Sequence, residues 1–168
     1  MRNGHSLFGK GTLWYGIISA AICIISRAFF ESPLEMVHVV KGVHLLPPIW
    51  LYNLISYFLF FIIGISAGAV IDYTSRCING GSSAISAYCG GLFFISCFFT
   101  SIILYHVFFI SKMLLLSLIV SATAMICSII CAVKWKHVQP SSSCVIMCLF
   151  SLWQFYMFFV CLSVFLNN

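Results

Sequence analysis

Few side chains in this sequence could do acid–base, metal or ion-pair chemistry. The acids are Glu31, Glu35 and Asp72, and the two glutamates share a short segment with His38, Lys41 and His44. Paired carboxylates hydrolyse substrates when they face each other in one site. Two acids four residues apart read instead as a solvated helix end, where Arg27 with Glu31 adds an i,i+4 pair of about 0.3–0.5 kcal/mol. Inside apolar stretches the ionisable candidates reduce to Arg27 and His106. Arg27 falls where its stretch ends and is expected to snorkel to the interface, while His106 reads as an interfacial or helix-bonding histidine ahead of a proton relay. Nine cysteines raise the question of metal. No C-x-x-C occurs, and Cys127/Cys131 and Cys144/Cys148, each one helical turn apart, have no nearby histidine or carboxylate to complete a site. They read as small apolar packing residues. No catalytic residue and no metal ligand is expected.

The elements that carry these residues follow from composition. Of 168 residues, 62% are apolar and 7% charged, against about 25% charged in a soluble domain. Such a chain faces lipid over most of its area, which excludes a conventional soluble enzyme, a secreted disulfide scaffold and a nucleic-acid partner. The sequence predicts an all-α integral membrane bundle, one domain of five transmembrane helices at about 12–30, 48–71, 84–107, 113–133 and 144–166, each near the roughly 20 residues that span a bilayer core. A basic start with Arg2 and Lys10 resembles a signal peptide, but Arg27-Ala28-Phe29-Phe30 replaces a cleavage site, so the first stretch is read as a helix. A tight reversal at Ser111-Lys112 must separate the third and fourth. Residues 31–46 are expected to lie over the bundle mouth as a lid. Trp135, between Lys134 and Lys136 and ahead of Pro140, reads as an interfacial anchor. Counting Arg2, Lys10, Arg76, Lys134 and Lys136 on one side against Arg27, Lys41 and Lys112 on the other favours a cytoplasmic first residue.

Two small-residue seams are visible. Gly64 and Gly68 form a G-x-x-x-G in the second helix, and Ser117, Ser121, Ala124 and Ser128 form a stripe on the fourth. Both let backbones approach closely, either within one chain or between two copies in a homodimer. Phenylalanines crowd the same bundle, among them Phe58, Phe60, Phe98 and Phe155. They fit lipid-facing or core surface, or a flat slot for a planar ligand.

The stretch Leu46-Pro47-Pro48-Ile49-Trp50-Leu51-Tyr52, with Gly64 sixteen residues after Pro48, resembles the TspO/MBR family, the translocator proteins also called tryptophan-rich sensory proteins or peripheral benzodiazepine receptors. Phe109-Ile110-Ser111-Lys112 at the reversal and Trp153-x-x-Tyr156 in the last helix are similar to the family's pattern as well. The resemblance implies a five-helix bundle, often a homodimer, with a pocket between helices 1, 2 and 5 under the first loop. It also implies porphyrin, such as protoporphyrin IX, as candidate ligand, with no cofactor required, and a light-dependent porphyrin-degrading activity ascribed to several members. The chain departs from the family at Ser56, where a pocket tryptophan is usual, near Cys97 and Ser101, where asparagines are usual, and at Cys161, where a late asparagine is usual.

On this reading Trp50, Ser56, Tyr57, Trp153 and Tyr156 line the site, with His38, Lys41 and His44 in the lid for carboxylate groups. A loose cholesterol-type pattern, Val70-x-x-Tyr73-x-x-Arg76, occurs at the end of the second helix. The leading expectation is a membrane receptor or sensor for a hydrophobic planar metabolite, porphyrin first. The alternative is a small transporter or transporter accessory subunit. The expected location is the plasma membrane in a prokaryote and the mitochondrial outer membrane in a eukaryote.

Overall fold

The computed structural model describes residues 10–28, 47–76, 82–136 and 141–168. The lid with His38, Lys41 and His44, both glutamates (Glu31, of the expected pair with Arg27, and Glu35), and the loop residue Cys77 lie outside the described residues. Within them every element is helical: α1 (Lys10–Ala28), α2 (Ile49–Arg76), α3 (Ser82–Tyr105), α4 (Leu114–Trp135) and α5 (Ser142–Asn167). Four are long and apolar enough to cross a membrane, and α1 contributes a shorter apolar stretch, Thr12–Ala28, at the lower end of the lengths that span. The protein is an all-α, multi-pass membrane bundle.

The helices pack in chain order. α1 lies along α2, α3 along α4, and α4 along α5, while α2 closes the bundle by meeting α5 and α3. Isoleucines on the outer side of α1, among them Ile17, Ile18, Ile24 and Ile25, are exposed, as a lipid-facing surface requires. α2 runs five residues beyond the expected end at 71, to Arg76. Thr74 and Ser75 return their hydroxyls to the carbonyls of Ile71 and Asp72 at 2.9 Å each, and Asp72 accepts a long contact of 3.5 Å from Thr12 on α1.

The expected reversal between the third and fourth helices lies at Ser111-Lys112. α3 first widens into a π-helical turn at His106–Ile110, with Ser111 N–H bonding His106 O at 3.0 Å. Such a turn adds a residue and re-phases the helix face, and Leu104, Tyr105, Val107, Phe108 and Phe109 are all buried. Lys112 then takes φ 53°, a left-handed conformation that is uncommon outside glycine, and α4 starts two residues later.

The G-x-x-x-G seam is internal. A Cβ on Gly64 would strike Ser19 Oγ and lie 2.9 Å from Gly16 Cα, and one on Gly68 would lie 3.1 Å from Thr12 Cα. Ser19 uses this approach to donate to Phe60 O at 2.7 Å. On α4, Ser117, Ser121, Ala124 and Ser128 are buried, with the hydroxyls of Ser117 and Ser121 against Cys161 of α5.

Trp135 corrects the expectation of an interfacial anchor. It is 1% exposed, stacks on Phe94 at 5.5 Å between centroids, and donates Nε1–H to Ala87 O at 3.3 Å. Gly90 makes the slot, since a Cβ there would collide with indole Cδ1 and Nε1. A partner inside the bundle thus outcompetes the headgroup layer for this indole.

Candidate ligand site around Arg27

Arg27, in the last turn of α1, does not snorkel. It is 8% exposed. Its Nη1 donates to Asn53 Oδ1 at 2.8 Å, and its guanidinium carbon lies 4.4 Å from the ring centre of Tyr105, 5.1 Å from that of Tyr57 and 5.2 Å from that of Tyr52. Three phenol faces and one amide replace water around the charge, which is why the side chain can stay inside. No carboxylate does the same work among the described residues. Asp72 is the one described side-chain acid. It stands nineteen residues from Asn53 along α2, about 28 Å at 1.5 Å per residue. The guanidinium therefore carries its charge with one hydrogen-bonding partner among those residues, in a setting where unpaired charge is costly.

An aromatic wall continues from the cage. Tyr52 stacks on Tyr105 at 6.3 Å and meets Phe109 at 5.2 Å and Trp153 at 5.5 Å, and Trp153 in turn meets Tyr156 at 5.5 Å. The wall gathers rings from α2, the end of α3 and its π-helical turn, and α5. Ring pairs also fix the depth of the polar residues behind it. Tyr52–Tyr105 and Phe60–Phe98 bracket Ser56 and Ser101, and Gln154 of α5 reaches Ser101 directly. Gln154, 2% exposed, donates Nε2–H to Ser101 Oγ at 2.8 Å, Ser101 donates on to Cys97 O, and the Gln154 Oε1 acceptor has no partner among the described residues.

Of the residues expected to line a site, Tyr57, Trp153 and Tyr156 belong to the cage or its wall, and Ser56 is buried one turn from Tyr52. Trp50 is not brought to them: it is 68% exposed. Arg27, Asn53, Tyr52 and Tyr105 were not among the expected site residues. The signal for them was a lone arginine in an apolar run, which composition rules assign to the interface. Eight described cysteines are free thiols, and no group of three metal-ligating residues occurs among the described residues. Comparison with protein-family models, curated proteins and solved structures gives no match.

Proposed function

We propose that the protein is a membrane receptor or sensor, of the kind the TspO/MBR resemblance implies, for a hydrophobic planar metabolite bearing a carboxylate, with a porphyrin as the first candidate. The observation that carries this reading is the buried Arg27 guanidinium, set among tyrosine faces with no carboxylate counter-ion among the described residues. A carboxylate on an apolar ligand would pair with this guanidinium through charge-assisted hydrogen bonds, in a medium where they are strong. The rings of Tyr52, Trp153 and Tyr156 supply stacking surface for the flat part. Catalysis is no part of the proposal.

The test is a titration of purified protein in detergent with protoporphyrin IX, read by quenching of Trp153 fluorescence. Saturable quenching is expected, weakened in Trp153→Phe. Arg27→Gln should weaken the Kd at least about tenfold, the equivalent of about 1.4 kcal/mol, and the porphyrin dimethyl ester should bind wild type as poorly as the acid binds the variant. Quenching linear in porphyrin, as for partition into micelles, would sink the proposal. Accumulation of porphyrin inside vesicles carrying the protein would make it a transporter instead.

A further inference from the structure

Away from Arg27, a groove of about 490 Å³ runs between α4 and α5. Its walls are apolar, with Ile129 and Val133 on α4 and Leu152 and Phe155 on α5, and Lys136 stands among its lining residues at the end of α4. Two thiols open into it, Cys144 and Cys148, one turn apart. They differ in state. Cys144 is half-buried and directs its S–H to Ala132 O on α4 at 3.4 Å, whereas Cys148 is exposed, with its sulfur against that of Cys144.

Depth matters as much as shape. The 26 residues of α5 make about 39 Å, some 9 Å more than the ~30 Å hydrocarbon core. Its first turn therefore stands among headgroups, and Cys148, six residues from Ser142, lies about 9 Å along the helix, close to the edge of the hydrocarbon. The positive-inside count puts this end, with Lys134 and Lys136, on the cytoplasmic side. A thiol at that depth on that side is placed for reaction with a long-chain acyl-CoA.

We infer that Cys148 is an S-acylation site and that the α4–α5 groove holds the attached fatty acyl chain. The Cys148 sulfur attacks the thioester carbonyl of a long-chain acyl-CoA. A new S–C bond forms, the bond from the acyl carbon to the CoA sulfur breaks, and CoA leaves as its thiol with the proton given up by Cys148. Nothing is oxidised or reduced. Lys136 meets the CoA phosphates or, afterwards, anionic headgroups. From Cys148 to Phe155 the groove wall extends about 10 Å, room for about half of a long saturated chain, with the remainder among the lipids, and an acyl group there fills apolar space without disturbing the packed face of α5.

The experiment labels cells expressing the full chain with an alkyne-tagged hexadecanoic acid and reads the tag on the purified protein. Label that neutral hydroxylamine releases is expected on wild type, retained in Cys144→Ser and in Cys89→Ser, and lost in Cys148→Ser. Because Cys148 is exposed, its replacement leaves the core intact. Label persisting in Cys148→Ser overturns the assignment. So does an unlabelled wild type whose Cys148 is recovered as a free thiol, with only bilayer lipid in the groove.

Discussion

The α1–α2 contact has two halves made from opposite materials. Where α1 begins and α2 finishes, Gly16, Gly64, Gly68 and Ser19 bring the backbones together so closely that a single added carbon collides. Where α1 finishes and α2 begins, Tyr52, Asn53 and Tyr57 hold the helices around one guanidinium. The first half gains van der Waals contact, the main attraction left to helices when lipid is as apolar as the core. The second keeps a charge and large rings where small residues would have packed more tightly. The difference separates the part of the bundle that holds it together from the part proposed to bind.

Two substitutions test this separation and two on α3 gauge close packing against α4, from the largest effect to the smallest. Gly64→Leu forces side-chain carbons into Ser19 and the backbone of α1, and should cost about 3 kcal/mol or more, seen as loss of the folded, monodisperse species in detergent. Gly90→Ala drives a Cβ into the Trp135 indole and should lower stability by about 2 kcal/mol, measured by thermal unfolding. Arg27→Met removes the buried charge and fills much of its volume. Stability should stay within about 1 kcal/mol of wild type while porphyrin affinity falls, and a collapse of the fold would show that the cage is structural. Gly91→Ala, one residue from Gly90 but with nothing within 4 Å of the added carbon, should change stability by less than about 0.5 kcal/mol.

Five helices were legible because a span of about 20 apolar residues is a length requirement that few other structures meet. Their inward faces were not. In water a helix declares its buried face by polarity, but here the lipid side and the packed side are equally apolar, and exposed Phe58, Phe155 and Phe159 differ from buried Phe60 and Phe150 in nothing that the sequence displays. Arg27 and Trp135 were misplaced for a related reason. Rules for helix ends describe the exchange between lipid and headgroup, and they omit a third solvent, the interior of the bundle. For Arg27 that solvent is phenol rings and an amide, and for Trp135 it is a carbonyl and a gap left by Gly90. Gly64 and Gly68 were readable as a close-contact motif, because only small residues allow it, while their partner was fixed by the fold.

The short link between α3 and α4 bears on how the protein is made. With three residues, Ser111 to Met113, separating the π-helical turn from α4, neither span can be threaded alone and wait for the other. They must enter the bilayer as one hairpin. In the orientation favoured by the positive charges, the tip of that hairpin carries Lys112 across the hydrocarbon during insertion, a transfer that on insertion scales opposes entry by about 3 kcal/mol at mid-membrane. The two strongly apolar arms must outweigh it together.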